Sequence, residues 1–262
     1  MRFTERLGKA ASYVVPAILI AAAWQIIPSI VPFGKFRFGT TTLILEAALR
    51  EAQSLSFYQD VCITISETVL GLLLGTLFGT MVGMLFWLRA EVGRVMRPYV
   101  IFGGSIPMVA VAPLMIEVFG IGFVPKVLFV SLSTFFVAVV QAFEGAQYAS
   151  GERLDVMAAL GANKMSIMKQ LIFPSSFTYI IAGLRLNVGF ALIGAFVAEF
   201  VNSERGLGHF IMQHSGLYDT PSVMLGVVVL GFIGIGINLV ITWIMNRIAP
   251  SLVKASTVAL GG

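Results

Sequence analysis

Charged residues in this 262-residue chain fall in clusters, with long uncharged runs between them. Lys9 and Lys35, Glu67 and Arg89, Arg97 and Glu117, Lys126 and Glu144, and Asp219 and Arg247 bound intervals of 17–27 uncharged, mostly apolar residues. A helix needs about 20 predominantly apolar residues to cross the hydrocarbon of a bilayer, so these intervals predict five spans. A sixth run, about 177–201, is equally apolar but contains Arg185 and Glu199. It is counted as a span whose charges are kept for function. Backbone groups in lipid must find partners within their own segment, so all six are expected to be helices. Their expected positions are 11–30, 62–88, 98–117, 125–146, 177–201 and 222–246.

Composition agrees: 58% of residues are hydrophobic and 11% are charged, against about 25% charged in ordinary soluble domains. The expected fold is an all-α integral membrane protein with one domain over residues 1–262. The basic residues orient it. With the N-terminus inside, the inner segments hold Arg2, Arg6, Lys9, Arg89, Arg94, Arg97, Arg153, Lys164, Lys169, Arg247 and Lys254. The outer segments hold Lys35, Arg37, Arg50, Lys126 and Arg205. The excess places both termini in the cytoplasm, and the net charge of +4 is then a topology signal and not a nucleic-acid footprint. The basic N-terminus and its apolar run resemble a signal peptide, but the run continues to about Ile30 without a small-residue cleavage site, so a retained first span is preferred. Between the first two spans, residues 40–52 are amphipathic and are expected to form an interfacial helix on the outer surface.

Little in the sequence suits catalysis. The lone Cys62 excludes a disulfide framework. His209 and His214 are five residues apart, so they do not share a helix face as metal ligands would, and a solvated turn is the expected role. The stretch "GANKMS" lacks the spacing of a phosphate-binding lysine loop. No cofactor is expected in the chain, and energy for uphill transport would have to come from elsewhere.

One stretch breaks the apolar pattern. "ERLDVMAALGANKMSIMKQLIFPSS", from Glu152 to Ser176, is polar at helical spacing, divided by Gly161 and closed by Pro174. Its first part carries Leu154, Met157, Ala158 and Gly161 on one stripe. Its second carries Met165, Met168, Leu171 and Ile172, with Asn163, Lys164, Ser166, Lys169 and Gln170 facing away. Two short helices meeting at a glycine on the cytoplasmic side suit either the membrane surface or a groove on a soluble partner.

Here the sequence resembles a known family, the permease subunits of ATP-binding-cassette importers. "DVMAALGANKMSIMKQLIFP" is similar to their cytoplasmic loop, with Gly161 and Pro174 at the family spacing and Asp155 in place of its glutamate. Val156 and Met157 replace two alanines, and Leu171 and Phe173 replace isoleucine and leucine. "SIPMVAVAPLMIEVFGIG", "AGLRLNVGFALIGAFVAEF" and "RGLGHFI" resemble the nitrate, sulfonate and taurine branch, although Val118 stands where tryptophan is usual and Glu67 where arginine is usual. The resemblance runs from about Ile63 to Met245 and implies the type I permease architecture in a bacterial inner membrane.

It also implies a homodimer around a solute path, with loop 147–175 docked on two ATPase subunits that bind ATP and Mg. A solute-binding protein would deliver cargo to the outer face, where residues 202–221 are a plausible contact. The expected ATPase-coupling residues are Asp155, Ala158, Ala159, Gly161, Ala162, Met165, Met168 and Pro174. The expected path residues are Ser105, Met108, Arg185, Asn187 and Glu199. Arg185 could attract an anion or serve structurally. Glu199 is expected to act as a gate or to hold the "RGLG" loop. The cargo implied is a small organic or inorganic anion, or a vitamin or pyrimidine precursor. An ion-coupled carrier using Glu117 and Glu199 is the alternative.

Overall fold

The computed structural model describes residues 2–31, 34, 38–148 and 152–248, with side chains from residue 15 onward except those of 17, 152, 202 and 248. The regular elements among the described residues are helices: α1 Arg2–Ile30, α2 Thr41–Glu51, α3 Leu55–Leu88, α4 Ala90–Ser105, α5 Met108–Phe119 and α6 Phe123–Tyr148. They continue as α7 Glu152–Ala159, α8 Lys164–Ile167, α9 Phe173–Asn202, α10 Leu207–Gly216 and α11 Thr220–Ile248. Four are long and apolar enough to cross a membrane: α3, α6, the continuous run Lys164–Val201, and α11. The pair α4–α5 makes a fifth if counted as one span, and α1 contributes a shorter apolar stretch, Ile18–Ile30.

The third expected span, 98–117, is not a straight helix. α4 and α5 meet at 89°, and the break lies at Ile106–Pro107. Proline lacks an N–H and disfavours helical backbone in the residue before it. Ile106 is accordingly extended, at φ −68° and ψ 125°, and α4 ends at Ser105.

The core of the bundle is α3 against α6, with α9 across both. Gly71, Gly75, Gly79 and Gly83 recur every four residues along α3. A Cβ at any of them would collide with Val130, Thr134 or Ser131, Phe135 or Ala138, and Val139 or Ala142 of α6. Small residues at this spacing let two helices approach closely where lipid provides no hydrophobic drive for association. α2 forms where its amphipathic pattern predicts. Thr40 caps it, Ala47 is buried in a cluster with Phe210 and Ile211 of α10 and Leu225 of α11, and Leu45 and Leu49 stay exposed.

Candidate functional site

The polar insert folds as two short helices joined by a glycine turn. Gly161 has φ +79°, and its amide donates to the Ala158 carbonyl while that of Ala162 donates to Met157, both at 3.0 Å. This pair of bonds is the left-handed helix end that favours glycine. Nothing lies within 4 Å of the position a Cβ would take, so the glycine serves backbone conformation and not helix packing. Asn163 then starts α8, its Oδ1 accepting from the Ser166 amide at 2.8 Å.

Pro174 does not close the insert. The chain passes through a five-residue π-turn, Met168–Ile172, directly into α9. Widening the helix there accommodates a proline ring that would otherwise press on the carbonyl four residues back.

The expected coupling residues separate on this framework. Asp155, Ala158, Ala159, Gly161 and Pro174 are exposed, Ala162 is half-buried, and Met165 is exposed. Met168 is a correction: it lies on the inward face with Ile167, Leu171 and Ile172 and is buried with them against Ala142 and Ala146. Asp155, Ala158 and Ala162 also face a hollow of about 590 Å³ shared with Trp87, Arg94 and Lys164. The apolar side chains turned outward are Met165, Val156 and, most exposed at 81%, Leu160. The sequence stripe missed the last two because it followed the face that packs inward.

At the opposite end of the bundle, three helices converge on the loop before α10. The Lys126 ammonium of α6 lies 2.5 Å from the Glu67 carboxylate of α3 and donates to Ser203 Oγ at 3.1 Å and the Arg205 carbonyl at 3.4 Å. Glu199 accepts from Thr64 Oγ1 and from the Gly208 amide, each at 2.7 Å. The Gly206 amide donates to Asp60 at 2.8 Å, and the Leu207 amide to Thr64 Oγ1 at 2.9 Å. Glu67, Thr64 and Glu199 have no solvent exposure. The free amides at the start of α10, with the positive end of its dipole, compensate the buried Glu199 and Asp60 carboxyls, and Lys126 compensates Glu67. Lys126 is therefore not an outer-loop charge, as the sequence count placed it, but a buried one.

Two expected path residues are corrected by burial. Glu199 is enclosed in this network, with no exposed surface in the protomer, and its carboxylate accepts from the Gly208 amide of the "RGLG" segment. Asn187 is enclosed within α3, α6 and α9, its Nδ2 donating to Thr76 Oγ1 at 3.3 Å and the Thr134 carbonyl at 3.1 Å. Both are held inside the protomer because polar side chains gain partners there that lipid cannot supply. Ser105 is exposed at the α4–α5 break, and Met108 is half-buried beside it. Arg185 is half-buried, with a buried Nε that has no hydrogen-bond partner. His209 and His214 lie in α10 and not in a turn. His214 Nδ1 is 2.9 Å from the Phe210 carbonyl, its ring packs on Phe210, and no metal-binding group occurs among the described residues.

The described residues thus form a bundle of membrane-spanning helices with a glycine-jointed polar helix pair at one end and a hydrogen-bonded loop at the other. The chain belongs to the family of binding-protein-dependent transport system inner membrane components, whose model matches residues 71–254. It is 28% identical over 179 residues to the formylaminopyrimidine transport permease protein ThiX of Halalkalibacterium halodurans, covering 68% of this chain and 72% of that one. It is 27% identical over 230 residues to the putative aliphatic sulfonates transport permease protein SsuC of Bacillus subtilis, covering 88% and 83%. Its fold matches a chain of the MetNI methionine ABC transporter in an inward-facing conformation, with a TM-score of 0.59 and 18% identity, covering 73% of this chain and 98% of that one. The protein is thus an ABC importer permease of the type I fold, a multi-pass subunit of the inner membrane.

Proposed function

We propose that two copies of this chain form the solute path of an ATP-driven importer, and that the α7–α8 pair of each docks into an ATPase subunit holding ATP and Mg. The observation that carries this is the left-handed joint at Gly161, which turns Val156, Leu160 and Met165 away from the bundle. Exposed apolar side chains on a polar helix pair match a helix seated in a protein groove. Because α8 runs through the π-turn into α9, a push on the pair is transmitted as tilt of a helix that crosses the bilayer.

A small organic anion of the sulfonate kind is the favoured cargo, delivered from outside by a solute-binding protein. The sulfonate permease supports this by likeness, and Arg185, half-buried in α9 with Nε unpaired, supports it by charge. A pyrimidine precursor is the second reading, favoured by likeness to the formylaminopyrimidine permease. The test is co-expression with an ATP-binding-cassette ATPase from the same genome, followed by reconstitution. A complex of two permeases and two ATPases that accumulates sulfonate only with ATP and binding protein is expected. A permease that moves solute alone on a proton or sodium gradient would overturn the reading.

A further inference from the structure

The hollow of about 590 Å³ beside α7–α8 has a second compartment. Phe86, Phe143, Leu154 and Ile167 give the hollow an apolar wall, while Arg94, Lys164 and Asp155 reach it from α4, α8 and α7. A narrower depression between α4 and α6 shares Phe86 and Phe143 and continues with Val100, Ile101, Val139 and Val140, together with Arg97 and Glu144. The shared floor is the Phe86–Phe143 ring pair, edge to face with centroids 6.2 Å apart. From Arg94 to Ile101 on α4, and from Gln147 to Val139 on α6, is about 10–12 Å at the helical rise of about 1.5 Å per residue.

The charges of the two compartments do not cancel. Arg94, Arg97 and Lys164 are exposed, and no ion pair among the described residues uses them. Three cations face two carboxylates, Asp155 and Glu144, which leaves one positive charge over. This is also the end of the bundle that the excess of basic residues assigns to the cytoplasm. A charged hollow that continues along the helices as an apolar slot has the two-part chemistry of a phospholipid, with an oxyanion head at the membrane surface and an acyl chain below it. Basic pockets between membrane helices on the cytoplasmic side take acidic head groups, and each Lys or Arg adds to the attraction.

We propose that the two compartments form a site for one acidic phospholipid of the inner leaflet, with the chemistry of phosphatidylglycerol. Its phosphate sits between Arg94 and Lys164, and one acyl chain lies on the Phe86–Phe143 floor and along Val100, Ile101, Val139 and Val140. The single negative charge of the head matches the single positive charge left over. The head bridges α4 to α7 and α8, so the lipid becomes part of the wall that carries the helix pair. Binding at this site goes beyond the importer reading and does not depend on it.

The test uses the chain assembled with an ATP-binding-cassette ATPase from the same genome, delipidated in detergent. It is titrated with phosphatidylglycerol, phosphatidylethanolamine or inorganic phosphate, and bound lipid is counted by native mass spectrometry. One phosphatidylglycerol per permease chain is expected to bind ahead of all others. Arg94→Gln combined with Lys164→Gln should raise its apparent Kd about 30-fold and leave assembly unchanged, since both side chains are exposed. Val140→Phe fills the slot and should also weaken binding. Arg94→Lys retains the affinity, and so does Arg153→Gln, which changes an exposed cation outside both compartments. Wild-type affinity in the double variant or in Val140→Phe overturns the site. So does equal binding of phosphatidylethanolamine, or displacement of the lipid by equimolar inorganic phosphate, which would make this a free-oxyanion site. Lipid held by the isolated chain but absent from the assembled complex overturns it as well, because the ATPase would then cover the hollow. If no ATPase assembles with the chain, the importer reading falls, and the same titration of the chain alone still decides the lipid site.

Discussion

Replacing Lys126 with methionine removes the cation paired with Glu67, a carboxylate with no solvent exposure. The side chain of Lys126 is itself only 10% exposed, so water does not replace the lost partner. Removing one member of such a pair costs about 3–5 kcal/mol, most of it the penalty of an uncompensated buried charge. At about 2–4 °C per kcal/mol for a chain of this size, Tm should fall by about 6–20 °C. Glu67→Leu should fall comparably. The double variant Glu67→Leu, Lys126→Met buries no charge at this position and should recover most of the loss. A residual of about 0.5–1.5 kcal/mol is expected, because Ser203 Oγ and the Arg205 carbonyl no longer receive the ammonium. The assay is thermal unfolding of the detergent-solubilised protein for all four members of the cycle. The reasoning is refuted if Lys126→Met melts within 2 °C of wild type, on the same scale, or if the double variant loses the sum of the two singles.

Four further outcomes are expected. Gly161→Val meets open space, so it should insert and fold with a left-handed strain of about 1–2 kcal/mol, bind the ATPase weakly in a pull-down and abolish transport, whereas Gly161→Asn retains both. Partial burial works against the charge of Asp219, but hydrogen bonds from Ser222 and Arg50 outweigh it and hold its carboxyl below its ordinary value. Its contribution, under about 1 kcal/mol for so open a pair, is therefore complete above the unfolded carboxylate value and vanishes as pH falls through the lowered one; the Tm gap between wild type and Asp219→Asn should close on acidification. Glu199→Gln should lower Tm and impair assembly by weakening the Thr64 and Gly208 bonds, whereas Arg185→Gln should assemble and hydrolyse ATP normally but lose anion transport, as shown by uptake into proteoliposomes.

Local chemistry accounts for what was legible. The α3, α6 and α11 helices cover the charge-free intervals, with α3 and α6 extending past the charges that bound them, the amphipathic stretch at 40–52 became α2, and the glycine at 161 marks a helix end. The bend at Ile106–Pro107 is equally local, and the proline was visible, but the uninterrupted apolar run around it hid the break. Helical spacing grouped Met168 with Met165, but Met168 shares the buried face of Ile167, Leu171 and Ile172 while Met165 lies at its outer edge. The four-residue recurrence of Gly71, Gly75, Gly79 and Gly83 was a further signal, readable as a close helix contact.

The sequence by itself determined where the chain is helical and apolar, where it is cut by glycine and proline, and which family it belongs to. Only the tertiary structure decided that Glu67 meets Lys126, that Glu199 meets the start of α10, and that Asn187 is enclosed while Ser105 is exposed. The reason lies in the solvent. A helix in water marks its buried face with apolar residues, but a bilayer is as apolar as the protein interior, so periodicity along α3 or α9 does not say which face packs. There the inward face carries glycine and polar residues, and which of them pair depends on the approach of helices distant in sequence.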